Sequence, residues 1–504
     1  MSNLKVATIL AKLQDIFWPI ERSEIKLFAP LGLMMLCMLF NFGALRSIKD
    51  SLVVPNIGAE VISFLKLWLV LPSTIIFTLI YVKLSNICNY EYLFYLIVSF
   101  FLGFFILFTY VIFPQQHLFH PDETTINNLV TIYPSCKWFI KIIGKWSYAL
   151  MYVFCELWSV VIINLLFWQY ANHIFDTKSA KRFYPFLGFI GNFGLIMAGN
   201  VLVHFSDLAD APEINLPLYY TKMHFQSVKV LQPIMNLIIV AGIVVMIIYA
   251  YIEHYVLHEV RIKQKKIPPS SQLHNSLSFR ESIKLLMHSK YIGHIVLLVL
   301  CYGFLINILE GPWKSKVREL YPNTIDYINF MGQFNIWMGI SSVLFMVIGS
   351  NILRKFSWVQ AALMTPYMLT TTGLVFFVFV IFDQYINFGS SFNPLYIAVL
   401  IGAIQNILSK STKYSLFDST KEMAYIPLSF ELKTKGKAAV EVIGLKFGKS
   451  LGAFVQSFLF IIMPMATFDS IAIYLLAIFI VVMALWIWNV KQLGREYLTI
   501  TGSK

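Results

Sequence analysis

Twelve stretches of this chain are apolar over roughly twenty residues each, and no other feature narrows its possible folds as much. A helix of about twenty residues spans about 30 Å, the thickness of a bilayer's hydrocarbon core. Inside hydrocarbon every backbone N–H and C=O must be satisfied within the structure, which leaves only helices or a closed barrel. The runs are too long and too continuous for barrel strands, which alternate over about ten residues. The pattern therefore predicts an all-α polytopic membrane protein with twelve transmembrane helices. In the first part of the chain they fall at about 27–46, 61–83, 92–113, 147–170, 183–205 and 230–252. In the second they fall at about 291–311, 326–350, 358–382, 391–409, 438–463 and 469–489. Composition agrees: 58% of the residues are hydrophobic and 13% charged, against about 25% charged in soluble domains.

The formal net charge of +13 would point to nucleic acid in a soluble protein. Here the basic residues lie mostly between apolar runs, where membrane topology accounts for them. There is no RNP motif, zinc-finger spacing or basic helix with interleaved aromatics, so no nucleic-acid partner is expected. Lys5, Lys12, Arg22 and Lys26 precede the first run, and Lys178, Lys181 and Arg182 lie between the fourth and fifth. Arg261, Lys263, Lys265, Lys266, Arg280, Lys284 and Lys290 fall in the long loop at 253–290, and the loop read at 410–437 is basic too. With twelve spans all of these share one side, which predicts an inner-membrane protein with both termini cytoplasmic. Lys137, Lys141 and Lys145 go against that rule, and a surface helix is expected there.

Other features read more plainly. The five cysteines are scattered without a CxxC and read as buried small hydrophobes. The charged first 27 residues carry no cleavable small-residue site. His254 and His258 have helical spacing for a metal pair but no third ligand, so no metal is expected.

The two parts of the chain repeat. Gly43–Ser47 (GALRS) pairs with Gly311–Ser315 (GPWKS), Asn164–Asn172 with Tyr414–Glu422, and Lys181–Gly188 with Lys437–Gly444. The offsets are 268, 250 and 256 residues. The expected organisation is an N-terminal six-helix half at 1–252, a linker at 253–290 containing KQKKIPPSSQ, and a C-terminal six-helix half at 291–504. Two such pseudo-repeats make a major-facilitator-like architecture, whose substrate site lies at the midplane between halves.

Charges inside the spans mark that site. A charged side chain at mid-membrane costs about 2.5–3.5 kcal/mol on insertion scales, so it faces a water-filled path or an opposite charge. Lys413–Ser450 is the most charged segment of the chain, and apolar runs flank it on both sides. Arg46, Lys49 and Asp50 end the first run, and Glu156 lies deep in the fourth. Glu310, Lys314 and Lys316 close the seventh, and Glu441, Lys446 and Lys449 fall in the eleventh. Lysine and arginine there suit a multiply charged phosphate chain, to which they donate charge-assisted hydrogen bonds. Asp50, Glu156, Glu310 and Glu441 are expected to pair with those cations. Snorkelling from a helix end to the interface is the competing account of Arg46 and Lys49. Glycines at 188, 191 and 194, and at 444, 448 and 452, would let helices approach closely. The segment GLKFGKS is not a nucleotide-hydrolysing P-loop, because three residues rather than four separate Gly444 from Gly448 and no strand precedes it.

Several of these segments together resemble the ATP:ADP antiporter family of obligate intracellular bacteria and plastids. They are KYSLFDSTKEMAYIPL with KGKAAVEVIG and GKS, LRSIKD at Leu45–Asp50, FCELW at Phe154–Trp158, LLFWQYAN at Leu165–Asn172, AKRFYPFLG at Ala180–Gly188 and WKSKVRELYP at Trp313–Pro322. The resemblance implies a membrane transporter that exchanges host ATP for bacterial ADP by alternating access, without cofactor. It also implies functional roles for Lys49, Glu156 and Glu310, and for a late lysine that falls on Lys449 or, second, on Lys421. Gly311-Pro312 before Trp313 and Leu445-Lys446-Phe447 before Gly448 depart from the family's usual residues. They leave GTP/GDP or pyrimidine nucleotides open as substrates. An enzyme acting on a phosphorylated lipid is the alternative from another class, and a monomer is the expected state.

Overall fold

The computed structural model describes residues 20, 24–175, 177–208, 222–257, 289–382, 393–428 and 445–501. Among them there are helices and no strands. Eleven helices are long and apolar enough to cross a membrane. The first six are α1 (Ile25–Asn56), α2 (Val61–Ile87), α3 (Tyr90–Ile112), α4 (Trp146–Asn172), α5 (Arg182–Asp207) and α6 (Ser227–Leu257). After the linker come α7 (Lys290–Leu320), α8 (Thr324–Lys355), α9 (Trp358–Phe382) and α10 (Pro394–Tyr425). A shorter apolar helix, α11 (Leu445–Ile462), stands where the eleventh span is expected, and α12 (Phe468–Thr501) closes the chain.

Several helices outrun the apolar stretches that announce them, and α1, α7, α10 and α12 do so through charged residues. The first was expected to end near 46 and runs to Asn56; the seventh was expected to end near 311 and runs to Leu320. The tenth was expected to end at 409, yet Lys410–Tyr425 is helical rather than part of a basic loop. Hydropathy falls wherever charges gather, but a helix continues if another helix supplies the countercharge. The surface helix expected near Lys137 is present as Lys137–Gly144, which buries Trp138 and Ile142 while Lys137 and Lys141 flank the indole.

α5 packs lengthwise between α1 and α8, α7 lies between α11 and α12, and α11 meets the start of α2. Contacts between the helices before residue 258 and those after residue 289 gather toward one end. There Asn56 donates to Thr324 at 3.2 Å, Asn329 to Asp207 at 2.5 Å, and the rings of Trp138 and Phe460 lie 6.2 Å apart. α5 and α8 touch backbone to backbone at Gly199 and Gly332: a Cβ on Gly199 would fall 2.5 Å from the Gly332 carbonyl oxygen. Toward the end where α1 begins, the described ion pairs stay within one set of helices. Arg182 holds Glu24 there, while Lys413 and Lys421 hold Asp418 within α10. The interface between the sets is thus shut at the end away from the start of α1.

Gly194 and Gly448 do sit against neighbouring backbone, where a Cβ would fall 2.4 Å from the Leu36 oxygen and 2.5 Å from the Leu300 oxygen. Gly188 does not: nothing lies within 4 Å of its Cβ position. Gly444 is outside the described residues.

Candidate functional site

The site is built where α1 runs alongside α7. Arg46 and Asp50 stand one turn apart on α1, and Glu310 and Lys314 one turn apart on α7. Residues four apart share a helix face, so each helix presents one cation and one carboxylate to the other. Arg46 donates to Glu310 at 2.9 Å, and Lys314 meets Asp50 at 2.9 Å. Both pairs advance four residues in the same sense, as two parallel helices require. Asp50 is fully buried and Lys314 only 1% exposed, so neither can reach an interface by snorkelling.

Lys49, next to Asp50, turns toward α4. Its ammonium lies 3.0 Å from Glu156 and 3.1 Å from Asp50, and 3.9 Å from the centre of the Tyr152 ring one turn before Glu156. With 4% exposure, Lys49 is not a helix-end residue on its way to the surface. The snorkelling account of Arg46 and Lys49 fails because α1 continues for ten residues past Arg46.

Glu310 is the hub. Besides Arg46, its carboxylate takes Lys66 of α2 at 3.1 Å, Lys410 of α10 at 3.6 Å and Lys314 at 3.7 Å. Lys66 also donates to Asn307, one turn before Glu310, at 3.0 Å. Asn307 in turn donates to the carbonyl of Lys449 on α11. Lys449 is exposed, makes no ion pair among the described residues, and stands within electrostatic reach of Glu156 and Glu310. Six cations thus converge here (Arg46, Lys49, Lys66, Lys314, Lys410, Lys449) on three carboxylates (Asp50, Glu156, Glu310). The described residues leave three positive charges uncompensated, in a cleft lined by six helices: α1, α2 and α4 before the linker and α7, α10 and α11 after it.

The other expected residues lie apart. Lys421 pairs with Asp418 at 3.5 Å, beside Lys413 at 2.8 Å from the same carboxylate, and does not join the Glu310 cluster. Lys446 is in the first turn of α11, and Glu441 lies outside the described residues. Lys316, two residues beyond Lys314, faces away and ties α7 to α12 through Asp469 at 3.1 Å. His254 lies 3.2 Å from Glu91, and His258 is outside the described residues.

Sequence reasoning missed Lys66 and Lys410. Each was a lone lysine at the edge of an apolar run, and the signal that could have found them is the cost of leaving such a charge unpaired. It also missed two π-helical segments, Ser159–Phe167 in α4 and Lys413–Phe417 in α10. They overlap at the positions paired by the 250-residue offset. Such segments loosen a helix locally and recur at functional sites.

Comparisons with known proteins identify the family and the fold. The family model described as TLC ATP/ADP transporter matches residues 5–497. The chain is 63% identical over 493 residues to ADP,ATP carrier protein 3 of Rickettsia conorii, covering 97% of this chain and 98% of that one. It is 46% identical over 501 residues to ADP,ATP carrier protein 1 of Rickettsia prowazekii, covering 99% and 98%. Among solved structures, a bacterial homologue of the iron transporter ferroportin in an inward-facing state superposes with TM-score 0.56 at 15% identity. It covers 93% of this chain and 99% of its own. At that identity the likeness is one of fold, that of a multi-helix transporter.

Proposed function

The chain belongs to the TLC ATP/ADP transporter family, a multi-span membrane transporter and not an enzyme, and on that premise we propose that it exchanges ATP for ADP across the inner membrane of an intracellular bacterium. The observation that carries the reading is the surplus of three positive charges between the two sets of helices. A nucleoside di- or triphosphate brings a matching excess of negative charge, and lysine and arginine bind phosphate oxygens with strong, charge-assisted hydrogen bonds. Arg46, Lys49, Lys314 and Lys449 are the phosphate ligands in this reading. Asp50, Glu156 and Glu310 neutralise them while the cavity is empty.

Exchange follows from competition for the same cations. Arriving phosphates displace the carboxylates, and two six-helix halves, 1–252 and 291–504, rock about the bound nucleotide. With both termini cytoplasmic, the shut end of the interface is the external one, and the site opens inward. The described site residues all come from one chain, which is compatible with the expected monomer.

Counter-exchange in proteoliposomes tests the reading. Vesicles loaded with ADP should take up labelled ATP, and empty vesicles should not. Equal uptake by empty vesicles would refute exchange. Preference for GTP, UTP or CTP over ATP in the same assay would replace the base. A cysteine placed at residue 265 and labelled from outside the cell would overturn the topology.

A further inference from the structure

Building on the nucleotide-exchange reading, we propose that Lys410 is a phosphate ligand, and the one that sets how strongly the carrier distinguishes nucleotides by their number of phosphates. Among the cations of the cluster paired within the described residues, it is the least satisfied. Arg46 and Lys66 each hydrogen-bond an oxygen of Glu310, and Lys66 has Asn307 as well. Lys49 has two carboxylates and an aromatic ring, and Lys314 has Asp50 at 2.9 Å. The Lys410 ammonium is 8% exposed as a residue and has no hydrogen-bond acceptor among the described residues. Its nearest carboxylate oxygen, Glu310 Oε1, is 3.6 Å away and already accepts from Arg46.

The surroundings offer no substitute. The ring of Phe334 on α8 lies 5.2 Å from the ammonium and supplies a face, not an acceptor. Asn406, one turn earlier on α10, donates its amide to the Gly402 carbonyl, and its Oδ1 makes no hydrogen bond to Lys410. Lys410 therefore holds three N–H donors toward the cleft with none of them used. A buried ammonium in that state is costly, and a transporter retains such a cost where a ligand relieves it. A phosphate oxygen is the acceptor the position lacks. Arg46, Lys314 and Lys449 all stand within electrostatic reach of it, so a phosphate chain held by those cations brings its charge to Lys410 too.

Two consequences separate this role from a structural one. First, deleting one cation from a cluster weakens ligands in proportion to their charge. Second, Glu310 keeps three other cations when Lys410 is gone, so the empty protein loses nothing and is relieved of an unsatisfied charge.

The test uses the full chain in detergent, with binding of AMP, ADP and ATP measured to wild type, Lys410→Met, Lys410→Gln and Lys410→Arg, alongside thermal unfolding of each without nucleotide. Lys410→Met and Lys410→Gln should bind ATP about 10- to 100-fold more weakly, the range of one charged hydrogen bond. AMP should lose several-fold less, so the preference for ATP over AMP shrinks. Lys410→Arg should restore most of it. Empty Lys410→Met should unfold at or above the wild-type temperature. An equal loss for all three nucleotides, no loss for any, or a lower melting temperature of empty Lys410→Met would overturn the role of Lys410 and leave the exchange reading standing. Wild type that binds none of the three would refute the exchange reading itself.

Discussion

Replacing Glu310 by glutamine removes the charge on which Arg46, Lys66, Lys314 and Lys410 converge while keeping the side chain's shape. At 2.9 to 3.7 Å, and with an effective dielectric of about 20, each pair has a gross attraction of roughly 4–6 kcal/mol. Desolvation offsets most of that, and breaking a buried pair from one side costs about 3–5 kcal/mol net. The empty variant should therefore be less stable than wild type by about that amount. Its affinity for nucleotide should move the other way. With no carboxylate competing for four cations, phosphates bind more tightly by about 1–3 kcal/mol, the scale of the charged hydrogen bonds no longer displaced. Tighter binding slows release, so counter-exchange should fall while the dissociation constant drops about 5- to 100-fold. Calorimetry of the purified variant and exchange in proteoliposomes measure the two quantities separately. Thermal unfolding adds a linked readout, because a tighter ligand raises the melting temperature by more. If Glu310→Gln folds and binds nucleotide more weakly than wild type, the carboxylate contacts the ligand directly and competition is the wrong account of its role.

Lys49→Gln and Lys449→Gln should each weaken nucleotide binding by about 1–3 kcal/mol, whereas Glu156→Gln should keep binding and lose exchange; equal losses of binding in Lys49→Gln and Glu156→Gln would identify Glu156 as a ligand. Gly332→Leu should prevent α5 and α8 from meeting at Gly199, leaving the shut end open, and a cysteine reporter at Asn329 should become reactive to impermeant reagents from that side. Glu60, in the connection between α1 and α2, is buried, and burial pushes its carboxyl pKa up, against the opposing pull of its own backbone and of Arg318, Lys137 and Lys141. A carboxyl raised in the folded state costs stability as pH climbs from its ordinary value through the folded one, and the cost is absent below both. Thermal unfolding across acidic to neutral pH should show that Glu60→Gln removes part of this loss; an unchanged pH profile would refute it.

The fold was legible because hydrophobic length is a local property. Each of the eleven long apolar helices could be found from its own twenty residues, and the starts of α2, α7, α9 and α12 fall within a residue of expectation. What hydropathy could not locate were the ends of α1, α7, α10 and α12, because charge looks like a loop to a sliding window. Lys410 and Glu310 are a hundred residues apart in the chain and 3.6 Å apart in space, and only the second fact makes Lys410 compatible with a membrane helix. The same limit applies to the site. Lys49, Asp50, Glu156, Glu310 and Lys314 could be singled out as charges in or beside apolar runs, and the structure gathers them. Lys66, five residues into the second apolar run, becomes a site residue only because Asn307 and Glu310 face it. Which cation meets which carboxylate depends on helix packing alone.

The charge count also bears on why such a carrier would exchange rather than leak. Empty, the described cluster carries a net charge of about three, with half of its cations lacking a carboxylate of their own. In the structure that charge is tolerated because Lys449 is exposed and the Glu156 side chain is 28% exposed. Water reaching the open end of the cleft screens what the carboxylates do not. To change sides, the helices around the cluster must close over it and exclude that water, and burying an uncompensated ion costs several kcal/mol even after relaxation. A nucleoside di- or triphosphate carries roughly three to four negative charges, enough to bring the closed cluster near neutrality. The occupied protein can then cross the closed state at a cost the empty protein cannot meet, and a ligand shifts a conformational equilibrium only by such a difference between states. By the same reasoning a nucleoside without phosphates would leave the cluster charged and would not be carried.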